Sequence, residues 1–259
     1  MKFNVVYNKN IPNYKETLSE LETLLISNKV EFCSYELDSM ENFGDFTLVI
    51  GGDGTILKAA RFYSDTKTPV LGINLGRLGF LSQQESLSNL IEAVLEGEYY
   101  IEERMMLSAV GRLALNDFVI KGCDSSRTSK IILEINDSIV CDYIADGLII
   151  STPTSSTAYG LSAGGPVLYP TMEAIVIVPI CPHTLNARPL VVPFSEKITI
   201  KTGDKLLSVS VDGFEMSECT EKITIKTAPQ KAVLAFLDKG RFYSVLRNKL
   251  HWGISPKAY

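Results

Sequence analysis

The chain has 259 residues, of which 46% are hydrophobic and 21% charged, a composition that argues against disordered, collagen-like and small disulfide-stabilised proteins. This length suffices for one large domain or two modest ones. The 25 basic and 30 acidic residues give a formal net charge of −5, so nucleic acid is not an expected partner.

The cysteines and the apolar segments indicate where the protein works. The five cysteines are scattered and form no Cys-x-x-Cys pair, so we expect neither a disulfide framework nor a thiolate metal site. The apolar stretch at residues 3–7 is short and interrupted by Asn4, so no export signal is expected. The uncharged run 147–172 is too rich in Ser, Thr, Gly and Pro for a membrane helix. We expect a cytoplasmic protein that does not bind membranes.

The first hundred residues alternate between strand-like and helix-like segments, which is typical of β-α units on a parallel sheet. Short apolar runs predict strands at 3–7, 46–50 and 69–73, and 30–35 is compatible with a further one. Apolar residues at helical spacing predict helices at 13–27, 56–63 and 86–95. The sequence therefore predicts an α/β domain over residues 1–99.

Beyond residue 99, helical periodicity nearly disappears and short β-prone runs take over, which predicts a second, mainly β domain. The predicted strands are 106–120, 129–135, 139–150, 174–180, 197–201, 206–211, 222–226, 233–237 and 242–246. Residues 157–163 predict a short helix. The heptapeptide Glu-Lys-Ile-Thr-Ile-Lys-Thr occurs at 196–202 and 221–227. Its alternation predicts two similar strands with one solvated face, and we assign it no chemistry.

A glycine loop, Gly51-Gly52-Asp53-Gly54-Thr55, follows a buried strand and opens a helix. In that position backbone N–H groups and the helix dipole can hold phosphates. The loop is neither a Walker loop nor a Gly-x-Gly-x-x-Gly loop. Asp53 would repel a phosphate, so we expect it to bind a cation or take a proton from an attacking hydroxyl, unless it simply caps the helix. Lys58, one turn further on, is either a phosphate contact or a solvated lysine.

Three other polar segments favour a nucleotide site. Residues 74–81 predict a second tight loop at the same sheet edge, although a structural loop explains them equally well. Asn116 and Asp117 suit the neighbouring hydroxyls of a ribose, or form a hairpin turn. Asp146-Gly147 precedes the Ser/Thr-rich run 151–159, which can bind sugars and phosphates and ends with the ring of Tyr159.

Taken together, these residues resemble one family, the NAD kinases, which phosphorylate the adenosine 2′-hydroxyl of NAD. The match spans roughly residues 45–253. It covers the glycine loop, 74–81, Asn116-Asp117, Asp146-Gly147, 152–159, Gly164-Gly165-Pro166, Arg188-Pro189-Leu190, Pro193, Arg247, Lys249-Leu250 and Trp252. The resemblance implies an α/β domain at 1–99, a larger β-rich NAD-binding domain at 100–237 and a tail at 238–259 that returns to the first domain.

The resemblance also implies residue roles. Asp53 corresponds to the proposed proton acceptor of the family. From their position in the loop and at the start of the helix, we predict that Gly52, Gly54, Thr55 and Lys58 bind substrate. Further dinucleotide contacts are implied at Asn116, Asp117, Arg127, Asp146, Thr157, Ala158, Tyr159 and Ser162. The implied co-substrate is ATP with Mg²⁺ or another divalent cation, and the implied assembly is a homodimer or homotetramer. With two histidines in the chain, no histidine metal site is expected.

The chain departs from the family pattern at three positions. Ser155 stands where glycine is common, Ile144 where many relatives have arginine, and Phe214 where glutamine is frequent. Two other functions compete with phosphorylation of NAD. One is a lipid kinase with the same glycine loop, which would leave Asn116-Asp117 unexplained. The other is a catalytically silent dinucleotide sensor, against which Asp53 argues.

Overall fold

The computed structural model describes residues 1–74, 79–123, 128–183, 186–202, 206–215 and 220–253. The chain divides into two compact units. The first comprises Met1–Glu103 and the segment from Ala232 onward, and the second comprises Arg104–Lys231.

The first unit is built on a parallel sheet. Its strands are β1 (Lys2–Tyr7), β2 (Glu31–Glu36), β3 (Phe46–Ile50), β4 (Val70–Ile73) and β5 (Ser82–Gln83). The pairing order is β2-β1-β3-β4, and β5 pairs with β4. The helices are α1 (Tyr14–Ser27), α2 (Asp53–Phe62) and α3 (Leu87–Glu96). Strand residues such as Phe3, Leu48 and Leu71 share one apolar core with residues of α1 and α3, including Leu21 and Leu90.

Antiparallel strands make up the second unit, and the first of them begins, and the last ends, within the first unit. They are β6 (Tyr100–Ala109), β7 (Arg112–Ala114), β8 (Asp117–Gly122), β9 (Ser129–Ile135), β10 (Ser138–Ala145), β11 (Gly147–Ser151), β12 (Ala174–Ile180), β13 (Leu190–Pro193), β14 (Ile198–Thr202), β15 (Leu207–Val211), β16 (Phe214–Glu215) and β17 (Lys222–Phe236). One sheet has the order β13-β12-β11-β8-β15-β16, and β10-β9-β14-β17 pair in the other. Buried residues of both sheets, such as Phe118, Ile150, Leu133 and Ile198, form one core, so the two sheets pack face to face.

Two further helices complete the fold: α4 (Tyr159–Ser162), which follows a 3₁₀ turn (Thr154–Thr157), and α5 (Arg241–Leu250) in the first unit. The carboxyl-terminal part of β17 pairs in parallel with β4, where Leu234 lies opposite Val70. The predicted fold class, an α/β domain followed by a mainly β domain, is confirmed.

Several local predictions need correction. The predicted strand 242–246 lies inside the helix α5, whose buried residues Arg241 and Val245 are one turn apart. Helix α2 begins at Asp53 rather than at Ile56, and the predicted strands 222–226 and 233–237 are one strand, β17. The predicted strand 106–120 is broken by a tight turn at Val110-Gly111, where both residues have positive φ.

The repeated heptapeptide has a simple structural role. Its two copies lie in β14 and β17, which pair antiparallel with Ile198 opposite Ile225 and Ile200 opposite Ile223. These isoleucines are buried, as the alternation predicts. The Asp212-Gly213 turn connects β15 with β16.

One of the described cysteines departs from the expectation that the chain has no disulfide framework. Cys123 is disulfide-bonded, whereas Cys33, Cys141 and Cys181 are free thiols. Within the described ranges, no helix is both long enough and apolar enough to span a bilayer.

Candidate active site

The glycine loop lies at the carboxyl end of β3, a strand whose five residues are all buried. Gly52 is the residue before α2, and Asp53 is the first residue of the helix. The Asp53 carboxylate does not cap its own helix, because both of its oxygens accept hydrogen bonds from another segment. Oδ2 accepts from the N–H of Phe80 at 2.9 Å, and Oδ1 accepts from the N–H of Leu81 at 3.1 Å. The carboxylate is thus fixed at the helix N-terminus while part of it stays exposed.

The glycines of this region serve two different purposes. A Cβ on Gly51 would lie 2.5 Å from Cβ of Thr55, and one on Gly79 would overlap Oδ1 of Asp53. At Gly52 and Gly54, in contrast, a Cβ would meet no described atom within 4 Å. Packing within the described chain therefore explains Gly51 and Gly79, while Gly52 and Gly54 leave open space beside the helix N-terminus, where a phosphate can approach the backbone.

Thr55 and Lys58, which the sequence also placed in this site, are engaged within the first unit. The buried hydroxyl of Thr55 accepts a hydrogen bond from Nδ2 of Asn8 at 3.2 Å. Lys58 forms an ion pair with Asp38 and thereby lowers the pKa of that exposed carboxyl. In this structure the Lys58 ammonium is directed to Asp38.

A lysine that the predicted site did not include lies next to Asp53. Nζ of Lys249, near the end of α5, is 3.9 Å from Oδ2 of Asp53 and 5.3 Å from the centre of the Phe80 ring. Because residues 242–246 were predicted as a strand, the sequence offered no basis for placing Lys249 on a helix beside the glycine loop. The family resemblance gave two indirect signals: Lys249-Leu250 belongs to the match, and the tail 238–259 was expected to return to the first domain.

In the second unit, Asn116 and Asp117 occupy the junction of β7 and β8. The carboxylate of Asp212 accepts hydrogen bonds from three consecutive N–H groups there: Leu115 at 3.1 Å, Asn116 at 2.8 Å and Asp117 at 3.0 Å. The N–H of Asp212 in turn donates to the carbonyl oxygen of Asp117 at 3.0 Å. Asp212 therefore clamps the backbone of the predicted ribose site, a role that no sequence pattern indicated.

The side chain of Asp117 is buried, with 4% exposed. Its Oδ2 accepts a hydrogen bond of 2.5 Å from the hydroxyl of Ser155. Burial raises the pKa of Asp117 to about 6; the Ser155 hydrogen bond acts in the opposite direction, and the negative charge of Asp212 adds to the rise. The pKa of Asp117 is therefore well above the usual range of an aspartate.

The Ser/Thr-rich segment is attached to the same junction. Oγ1 of Thr152 donates to the carbonyl of Leu115 at 2.6 Å, and the N–H of Thr152 donates to the carbonyl of Asn116 at 2.9 Å. Ser156 is also buried, and its hydroxyl contacts the backbone of Leu168. The buried first half of the segment is thus structural and brings the segment to Asn116-Asp117.

The second half of the segment reaches the surface. Thr157 is half-buried, whereas Ala158, Tyr159 and Ser162 are exposed. Tyr159 keeps 38% of its surface accessible, so its ring is available to a ligand. These four are the residues at which the family resemblance implied dinucleotide contacts.

The two remaining predicted contacts are Asp146 and Arg127. Asp146 lies between β10 and β11, where its N–H donates to the carbonyl of Ile180 at 3.0 Å and its side chain is exposed. Arg127 and residues 75–78 of the predicted second loop lie outside the described residues.

The structure thus assembles the predicted residues into two groups: the Asp53 group in the first unit and the Asp117 group in the second. Within the described ranges, no cluster of three or more His, Cys, Asp or Glu side chains is arranged to hold a metal ion.

Both parts of the chain match models of known domains. The ATP-NAD kinase N-terminal domain matches residues 3–99, and the ATP-NAD kinase C-terminal domain matches residues 115–236. The NAD kinase of Caldanaerobacter subterraneus is 42% identical over 221 residues, which cover 80% of this chain and 78% of that protein. The chain belongs to the NAD kinase family. The NAD kinase of Pseudomonas aeruginosa PAO1 is 39% identical over 255 residues, 92% of this chain and 85% of that protein.

Solved structures of this family share the fold. An NAD kinase from Archaeoglobus fulgidus in complex with ATP is 27% identical, with a TM-score of 0.77 over 95% of this chain and 97% of that one. Yeast NADH kinase complexed with NADH has a TM-score of 0.88 over 100% of this chain and 90% of that one at 24% identity, and this likeness shows the fold. The predictions of a two-domain NAD kinase fold and of an enzyme that phosphorylates NAD to NADP with ATP are confirmed. A lipid kinase and a silent sensor are set aside.

Proposed function

We propose that this NAD kinase holds the adenosine 2′-hydroxyl of NAD at Asp53 and the γ-phosphate of ATP at the glycine loop. The observation that supports this arrangement is the fixed Asp53 carboxylate beside the open space at Gly52 and Gly54. The hydroxyl oxygen attacks the γ-phosphorus, the bond to the β–γ bridging oxygen breaks, and ADP leaves as the hydroxyl loses its proton. Asp53 orients the hydroxyl and accepts this proton.

Charge near Asp53 must be balanced when a triphosphate binds. Lys249, 3.9 Å from Oδ2, supplies a cation next to the carboxylate, and the N–H groups at the start of α2 supply the positive end of a helix dipole. Together they offset the repulsion between Asp53 and the phosphates. In this proposal Lys58 contacts a phosphate only by leaving its pairing with Asp38.

We also propose that Mg²⁺, or another divalent cation, enters with ATP. Mg²⁺ is commonly bound through one or two carboxylates together with substrate phosphates. The site fits this mode, because Asp53 is a partly exposed carboxylate at the phosphate loop. When bound, the ion would neutralise charge on the phosphates.

The dinucleotide-binding part of the proposal uses the Asp117 group. Asn116 and Asp117 would hydrogen-bond the neighbouring hydroxyls of a ribose, and Tyr159 would offer its face to a base. The remaining contacts would come from Asp146, Thr157, Ala158, Ser162 and Arg127. The clamp from Asp212 supports this assignment, because it fixes the junction independently of any ligand.

We further propose a cytoplasmic homodimer or homotetramer. The hairpin strand β10 exposes Ile139, Val140 and Ile144, whose side chains range from 47% to 70% accessible. An exposed apolar strand of this kind favours association between copies. The family resemblance predicts an arginine where Ile144 stands, and an isoleucine makes this surface more apolar. Sedimentation of the parent protein and of Ile139→Lys measures the mass of the assembly. An assembly of the same mass in the variant would contradict the proposal that this surface forms the interface.

The central proposal is tested with Asp53→Asn. In an assay with NAD, ATP and Mg²⁺ that detects NADP by mass, we expect kcat to fall at least a hundredfold, while the dissociation constant for NAD changes less than about threefold. Asp65→Asn, a change to an exposed carboxylate three residues beyond α2, is the matched control and should leave both unchanged. Equal losses of turnover and of NAD affinity in Asp53→Asn would contradict a role in the transition state.

A further inference from the structure

The first unit contains a buried arginine with an unusual set of partners. Arg241, the first residue of α5, is only 7% exposed. Its guanidinium donates hydrogen bonds of 2.8 Å to the carbonyl oxygens of Gly79 and Phe80, and another to that of Ser82. It also lies over the ring of Phe236, 5.6 Å from the ring centre. A buried arginine is stable only when its donors are satisfied, and here backbone oxygens satisfy them.

The peptide groups that Arg241 contacts are the same ones that hold Asp53. The carbonyl of Gly79 and the N–H of Phe80 belong to one peptide group, and the carbonyl of Phe80 and the N–H of Leu81 belong to the next. Arg241 binds the oxygen of each group, and Asp53 binds the hydrogen of each group. Two parallel hydrogen-bond chains therefore run from the guanidinium through the backbone to the carboxylate.

We propose that Arg241 is a positioning residue for Asp53, acting through these two peptide groups. The proposal rests on the role given above to Asp53. A cation on a carbonyl oxygen polarises the peptide and strengthens the hydrogen bond that its N–H donates. The guanidinium is planar and presents several donors in fixed directions, so it sets the orientation of both peptide groups together. Arg241 touches neither substrate and acts on the reaction only through Asp53.

Packing from α5 supports the same conclusion. The centre of the Phe242 ring lies 6.2 Å from that of Phe80. Nζ of Lys249 lies over the Phe80 ring, 5.3 Å from its centre, and 3.9 Å from Oδ2 of Asp53. Gly79 leaves no room for a side chain beside the carboxylate. The segment 79–82 is thus held from α5 on one side and contacts the catalytic carboxylate on the other.

The test compares Arg241→Met, Arg241→Lys and the control Lys239→Met, which removes an exposed charge two residues earlier. For Arg241→Met we expect kcat to fall at least about tenfold, with the KM values for NAD and ATP within about threefold of the parent. Arg241→Lys keeps the charge but loses the planar fork, so we expect partial recovery of kcat. Lys239→Met should match the parent.

A double-mutant cycle separates positioning from general stabilisation. If Arg241 acts through Asp53, adding Arg241→Met or Arg241→Lys to Asp53→Asn will cause no further loss of kcat. The proposal would be overturned if the Arg241 changes lowered kcat by the same factor in Asp53→Asn as in the parent. It would also be overturned if folded Arg241→Lys and Arg241→Met enzymes kept the kcat of the parent. If Arg241→Met fails to fold, the Arg241→Lys cycle decides alone. Normal turnover of Asp53→Asn itself would refute the proposed function, whereas slow Asp53→Asn with normal Arg241 variants would refute only this inference.

Discussion

The hydroxyl of Ser155 donates a hydrogen bond of 2.5 Å to the carboxylate of Asp117, and both side chains are buried. Glycine, which the family resemblance predicts at this position, would lack the hydroxyl that makes this contact. The contact occupies one oxygen of the carboxylate assigned to the ribose. The bond also favours the charged form of a carboxyl group whose pKa is raised to about 6 by burial.

The first prediction concerns the pH dependence of NAD binding. An acid is neutral below its pKa, so Asp117 becomes protonated as the pH falls through about 6 and loses capacity as an acceptor for the ribose hydroxyls. We expect the affinity for NAD to be constant above pH 7 and to fall by up to about tenfold per pH unit below 6. Calorimetric titration with NAD alone, without ATP, measures this. An affinity for NAD that stays constant between pH 5 and pH 7.5 would show that the Asp117 carboxylate does not bind the dinucleotide.

The second prediction uses the two neighbours of Asp117 to move this midpoint in opposite directions. Ser155→Ala removes a hydrogen bond that stabilises the carboxylate, so the pKa of Asp117 rises and the midpoint moves above pH 6. Asp212→Asn removes a negative charge while keeping an acceptor oxygen for the clamp, so the midpoint moves below pH 6. The same calorimetric series reads both shifts. Displacements in the same direction would refute this electrostatic explanation.

The third prediction separates the glycines of the phosphate loop. In Gly51→Ala the new Cβ collides with Thr55, so we expect the free energy of unfolding to fall by about 1–3 kcal/mol. In Gly52→Ala the new Cβ points into open space, so we expect the free energy of unfolding to change by less than about 1 kcal/mol. The KM for ATP should rise, because the Cβ occupies the space that a phosphate would enter. Thermal denaturation and steady-state kinetics check the two effects. A Gly52→Ala enzyme with the parent KM would mean that no ligand approaches this point.

The sequence predicted those parts of the fold that local pattern determines. The apolar run at Phe46–Ile50 and the helical spacing of Leu21 and Leu25 correspond to buried positions in β3 and α1. The predicted helix 86–95 corresponds to α3, which Ser86 and Gly97 delimit: the hydroxyl of Ser86 accepts a hydrogen bond from the N–H of Asn89, and Gly97 adopts a left-handed conformation.

Other features depend on residues far apart in the sequence and were not predictable from local pattern. The run 242–246 is β-prone by composition, but it forms a helix because Arg241, Val245 and Leu246 are buried on one helical face. Arg241 reaches a segment about 160 residues earlier, and Asp212 reaches one about 95 residues earlier. Neither belongs to a motif, so their importance became visible only with the contacts.

Helix α5 contains Arg241 and Lys249, and both reach the neighbourhood of Asp53 from a late part of the chain. During synthesis on the ribosome, Asp53 emerges long before these partners are translated. The nascent enzyme therefore has its phosphate loop early but gains the support of that loop only when α5 leaves the exit tunnel. On the roles proposed here, proteolytic removal of α5 would take away both supports of Asp53 without cutting the glycine loop itself.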